Sequence, residues 1–309
     1  MWDGFRTIKA AFKLLFRYPA MAFPLLFVCA LYSSCLAIVK LYSTISPPSA
    51  SHTTEPLYPI LLIISFFLIV PLATTLSNIA TLSMLTDIET EASQPSLRTA
   101  VTRAVTLAPR VFILSLLGAL VRFVLLFLAV LSGKSDASEA NSSISIKATT
   151  TVFGIFLSAG AKVVRMGVLL CLPAIAWENY SARQSVHRSI NVIKANPFGF
   201  YTNFATSYIF LVAILVVLLV GLPLGPNAKE YWETVVWIKI FTMVLLYSLS
   251  VYVELVMMAA QYIRHIKWEH AVEAARQAGR TAPAVKDIPM PSFLDEFNDL
   301  AFLNPTNRD

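Results

Sequence analysis

Six runs of predominantly apolar residues divide this chain, at about 20–42, 58–84, 110–132, 152–176, 199–222 and 235–262. A helix rises about 1.5 Å per residue, so about 20 residues cover the hydrocarbon core of a bilayer. Each run is that long or longer. Inside lipid a backbone must satisfy its own N–H and C=O groups, which leaves helices or closed barrels. The runs do not alternate as barrel strands do. They predict an all-α integral membrane protein with six transmembrane helices. Charge agrees: 14% of the residues are charged, against about 25% in a soluble domain.

The connections between the runs fall into two kinds. STISPPSASHTTEP (43–56), SGKSDASEANSSISIK (132–147) and LGPNAKEYWE (224–233) are polar and poor in basic residues. The others are basic. Sixteen of the 24 Lys and Arg lie in the N-terminus, the second and fourth connections and the C-terminal tail. By the positive-inside rule both termini are expected in the cytoplasm, and the protein in the cytoplasmic (inner) membrane. The N-terminus reads as a lasting part of the chain, because its basic residues are interleaved with apolar ones. Cys29, Cys35 and Cys171 all fall inside apolar runs, so no disulfide is expected.

A weak repeat runs along the basic side. FRTIKAAFKLLFRYPAMAF (5–23), SLRTAVTRAVTLAPRVFIL (96–114) and RQSVHRSINVIKANPFGFY (183–201) are each amphipathic and each reach a proline that opens an apolar run. Pro19, Pro109 and Pro197 stand 90 and 88 residues apart. This pattern suggests three units, each a basic interfacial helix followed by a two-span hairpin. In the first stretch Phe5, Ile8, Phe12, Leu15 and Phe16 follow helical spacing, with Arg6, Lys9, Lys13 and Arg17 on the other side. Such helices are expected to lie flat at the membrane, either to recognise anionic lipid head groups through those four residues or simply to anchor the chain.

Charges inside the apolar runs are the candidate functional feature. A charge at the centre of a spanning helix costs about 2.5–3.5 kcal/mol and normally faces protein or water. Arg122, Lys162, Arg165 and Glu254 are of this kind. Arg165 shares a helix side with Gly154, Ser158 and Ala161, and Lys162 sits at its edge. Phe156, Val163 and Leu170 take the lipid-facing side. Ser115 and Gly118 accompany Arg122. Polar stripes also run along Pro71, Thr74, Asn78, Thr81 and along Tyr247, Ser250, Glu254, Gln261. The expectation is one inward layer in which Glu254 pairs with Arg165 or Arg122. With three cations and one anion, it could be a structural network, an anion- or lipid-binding site, or a proton relay.

No phosphate-cradling glycine loop or nucleophile elbow is present. In HIKWEH (265–270) the two histidines are five residues apart and do not converge as zinc ligands must. No enzymatic activity, cofactor, metal or nucleic-acid partner is therefore expected. Residues 1–286 form the expected membrane domain. Residues 287–309 form an acidic amphipathic cytoplasmic tail, with Phe293, Leu294, Phe297 and Leu300 on one side, able to dock on the chain itself or on a protein partner.

Four stretches carry a resemblance: FKLLFRYPAMAFPLL (12–26), NIATLSMLTDIETEASQPSLRTAVTRA (78–104), LLCLPAIAWENYSARQSVHRSINVIKANPFGF (169–200) and ELVMMAAQYIRHIKWE (254–269). In these the chain resembles a family of small six-span bacterial and archaeal membrane proteins classed as a domain of unknown function. More distantly it is similar to YciC-type proteins and to the membrane domain attached to some glycerophosphodiester phosphodiesterases. The resemblance implies the six-span architecture and supplies no catalytic residues. The function expected is a non-enzymatic inner-membrane protein that binds lipid or an anionic solute in envelope homeostasis. The alternatives are a membrane scaffold acting through the tail and a transporter using the charged layer.

Overall fold

The computed structural model describes residues 2–45, 69–91, 95–134, 144–221, 228–289 and 291. Regular structure among them is all helical: α1 (Trp2–Arg17), a 3-10 turn (Pro19–Met21), α2 (Ala22–Ile45), α3 (Val70–Glu91), α4 (Leu97–Lys134), α5 (Ile144–Glu178), α6 (Ala182–Ala195), α7 (Pro197–Gly221), α8 (Ala228–Gln277) and a second 3-10 turn (Val285–Asp287). Among the described residues, three stretches are long and apolar enough to cross a membrane: Leu97–Val121, Ala159–Glu178 and Ile240–Gln277. Gly4–Arg17 and Pro19–Cys35 meet these criteria together as a pair bent by 107°. The expected span at 58–84 lies partly outside the described residues, as do the polar connections and nearly all of the acidic tail.

The three aligned prolines do three different things. Tyr18 leaves the helical region (φ −122°, ψ 83°), and Pro19 starts the turn between α1 and α2. Asn196 breaks the chain again (φ −142°, ψ 68°), and Pro197 is the first residue of α7. Pro109, by contrast, lies inside the unbroken helix α4. The second basic stretch is therefore continuous with its span and does not form a separate flat helix. A proline's fixed φ is compatible with a helix, and the long helical flanks on either side tolerate one missing hydrogen bond.

α4 shows the expected lipid-facing side. Phe112, Ile113, Leu116, Leu117, Leu120, Phe123 and Val124 are exposed, while Val111, Leu114, Ser115 and Gly118 are buried. Exposed apolar surface on this scale marks a membrane or protein contact. The core lies toward the basic end. Residues 169–176 of α5 and 251–262 of α8 are enclosed on all sides, covered by α1, α3, α4 and α6. Leu170, expected to face lipid, is wholly buried, whereas Val163 is exposed as expected. Beyond Arg165 the helix passes into this enclosed core, where neighbouring helices replace lipid on every side.

Candidate functional site

Lys162 and Arg165 are three residues apart on α5, so both reach the same side of the helix. α8 passes that side and presents Glu254, which is 0% exposed. Arg165 Nη2 donates to Glu254 Oε1 at 2.8 Å. Lys162 Nζ lies 3.4 Å from the same oxygen. One carboxylate thus holds two cations, and Arg165 is one of the two partners expected for it. Burial makes this contact consequential, because the low dielectric that strengthens the attraction also makes an unpaired charge costly.

Two cations against one anion leave an excess positive charge, and aromatic faces surround it. The Arg165 guanidinium stands over Tyr247, 5.3 Å from the ring centre. Lys162 Nζ lies 5.1 Å from the Tyr208 ring and 5.7 Å from the Phe204 ring. Phe204 and Tyr208 are themselves stacked, one turn apart on α7. A desolvated cation–π contact contributes about 2 kcal/mol, so these rings offset part of the surplus. Nothing in the sequence singles these rings out, since aromatic residues one turn apart in a span look like ordinary lipid-facing positions.

The polar stripes of α3, α4 and α8 converge beside this pair. Thr74, Asn78, Ser115, Gly118, Arg165 and Tyr247 line a cavity of about 30 Å³. That is room for about one or two waters. α4 and α5 approach closely at Gly118, where a Cβ would lie 3.3 Å from the Val168 side chain, a tight contact that this methyl would have to relieve. Arg122 lies in α4, and Gly154, Phe156 and Ser158 lie in α5, but which way these positions face is outside what is described.

α1 departs from a simple two-sided interfacial helix. At about 100° per residue its side chains fall into three sectors. Gly4, Thr7, Ile8, Ala10, Ala11 and Leu14 are buried against α7 and α8. The Tyr252 hydroxyl of α8 donates to the Ala11 carbonyl at 3.2 Å. Phe5 and Phe16 are exposed, and Phe12, beside Phe5 in angle, meets the Phe210 ring edge-on at 6.1 Å. Arg6, Lys9 and Arg17 are exposed and Lys13 is half-buried, in the sector next to the phenyl rings. Ile8 therefore belongs to the protein-facing side and not to the membrane-facing stripe.

Several basic residues that set the expected orientation also tie helices together. Arg103 Nη2 donates to the Ala176 carbonyl at 2.8 Å, and Arg110 Nη1 to the Asn179 carbonyl at 2.6 Å. Arg110 also meets the Asn179 side chain. These two cations from α4 satisfy carbonyls at the C-terminus of α5, which the helix leaves without partners of its own and where its dipole is negative. Arg188 of α6 bonds to Glu269 of α8 at 2.6 Å and to Glu178 of α5 at 3.3 Å. Hydrogen bonding to Glu269 raises the pKa of its guanidinium further, so it stays charged at any ordinary pH. His265 Nε2 lies 3.1 Å from Glu269 Oε1, one turn away. The informative spacing in HIKWEH is thus the four residues from His265 to Glu269.

No family model, curated protein or solved structure matches the chain.

Proposed function

We propose that this chain is a non-enzymatic six-span protein of the cytoplasmic (inner) membrane that engages anionic lipid head groups along its basic side. In this reading both termini are cytoplasmic, the spans follow the six apolar runs, and the family resemblance in the sequence concerns architecture alone. The observation that carries the reading is α1. Its basic sector lies next to exposed phenyl groups, and its third sector is docked on α7 and α8. A helix held by the bundle presents cations at head-group level and rings at acyl level, as lipid engagement requires.

In the same reading the Glu254–Arg165–Lys162 layer locks α5 to α8. The cavity beside it, about 30 Å³, is far smaller than a lipid head group. The test is to purify the full chain from a membrane of known composition and weigh the lipids that remain bound by native mass spectrometry. Enrichment of anionic over zwitterionic lipid, lost when Arg6 and Lys9 are neutralised, is the expected result. Equal retention of both lipid classes would sink the proposal.

A further inference from the structure

The charged layer between α5 and α8 is not neutral. Glu254 faces both Lys162 and Arg165, and the aromatic rings offset only part of the surplus. Away from water, an uncompensated charge attracts a counter-charge strongly. The cavity of about 30 Å³ lies directly against Arg165, and no carboxylate lines it.

Three donors from three helices open on this space. On α5, Arg165 Nη2 is taken by Glu254 and Nε is sealed among protein atoms, which leaves Nη1 for the cavity. On α3 and α4, Asn78 and Ser115 are only 9% and 5% exposed. Neither side chain hydrogen-bonds to protein among the described residues, and neither is sealed, so both present their polar groups to the cavity they line. The Asn78 amide and the Ser115 hydroxyl can each turn a hydrogen inward. Thr74 and Thr75 also line the cavity, but their hydroxyls already donate to the Val70 and Pro71 carbonyls at 2.7 and 2.6 Å. A guest that accepts three hydrogen bonds and carries negative charge answers both the open donors and the surplus.

We propose that this cavity binds one small monovalent anion of the halide class, held by Asn78, Ser115 and Arg165. With it in place the layer carries two positive and two negative charges. The cavity has room for one or two waters, which rules out phosphate, carboxylates and lipid head groups. The anion is then a structural counter-ion at the junction of α3, α4, α5 and α8.

The test follows the unfolding temperature of the full chain in dodecyl maltoside. Sodium gluconate is exchanged stepwise for sodium chloride at constant ionic strength, and a parallel titration uses sodium sulfate. A saturable rise with chloride, absent with sulfate, is expected. Ser115→Ala removes one donor and should weaken the apparent chloride affinity about 10-fold. Asn78→Asp places a carboxylate where the anion would sit. This variant should unfold at a higher temperature than the parent in gluconate and should no longer respond to chloride. In a cavity made only for water, the same carboxylate would be a desolvated charge and would lower the unfolding temperature. The proposal is overturned by no saturable rise with chloride, by an equal rise with sulfate, or by a rise that both variants leave intact. It is also overturned if Asn78→Asp is less stable than the parent in gluconate. The α1 reading stands or falls separately, because Arg6 and Lys9 do not line this cavity.

Discussion

Arg165 and Glu254 meet at 2.8 Å although 89 residues separate them in the chain. Glu254 is completely enclosed, and Lys162 contacts the same carboxylate oxygen. Removing one partner of such a pair strands the other. Glu254→Leu should destabilise the bundle by about 3–5 kcal/mol, and Arg165→Leu by less, because Lys162 still meets the carboxylate. The double variant should recover part of the Glu254→Leu loss, because only Lys162 is then left without its carboxylate. Thermal or denaturant unfolding in micelles reads this directly. Strictly additive losses would show that the two side chains do not act as a pair.

α1 is closely seated at Gly4. A Cβ at that position would come within 2.4 Å of Thr206 Oγ1 on α7. Gly4→Ala should therefore lift the start of α1 or displace Thr206, at about 1–3 kcal/mol. Limited proteolysis should then cut α1 faster. Adding Thr206→Ala should restore part of the protection, since Oγ1 and Cγ2 are gone and only the Thr206 Cβ, at 2.9 Å, still presses on the new methyl.

Neutralising the exposed basic sector tests lipid engagement quantitatively. Each of Arg6→Gln and Lys9→Gln should weaken association with phosphatidylserine-containing nanodiscs by about 1 kcal/mol, roughly fivefold. The effect should shrink in high salt, because these charges face solvent. Zwitterionic nanodiscs should show no difference between the variants and the parent.

Arg188 bridges Glu178 and Glu269 and so joins α5, α6 and α8. Arg188→Lys retains the charge but loses the planar fork that reaches two carboxylates. A loss of about 1.5–3 kcal/mol is expected. Hydrogen exchange should localise it to α6, whose capping box at Ser181 and Gln184 secures only its first turn.

The helical class was legible, and so was the inward pairing of Glu254 with an arginine, though not the choice of Arg165 over Arg122, because each depends on local periodicity. Small residues beside Arg165 and a polar stripe containing Glu254 point both charges inward. The burial of Leu170 was not legible, since an apolar residue suits lipid and protein core equally well. The seat of α1 was missed for a related reason. Gly4, Thr7 and Ala10 are neither strongly apolar nor charged, so a two-sided amphipathic pattern leaves no room for a third, protein-facing side. Pro109 looked like the equivalent of Pro19 and Pro197, yet whether the chain breaks there depends on its flanks. A cavity lined by Asn196, Asn203, Gln261 and Arg264 draws on α1, the start of α7, α8 and the segment after α8, and no spacing along the chain announces that meeting.

The separation of Arg165 from Glu254 also has a temporal side. A ribosome delivers the chain from the N-terminus, at about 5–20 residues per second. Lys162 and Arg165 therefore emerge several seconds before the carboxylate that holds them. Until α8 follows, α5 carries two cations with no acid to neutralise them, and an isolated α5 would resist staying in lipid. Its final seating is thus an event of late synthesis, and a chain cut short before Glu254 would leave α5 with that positive charge stranded.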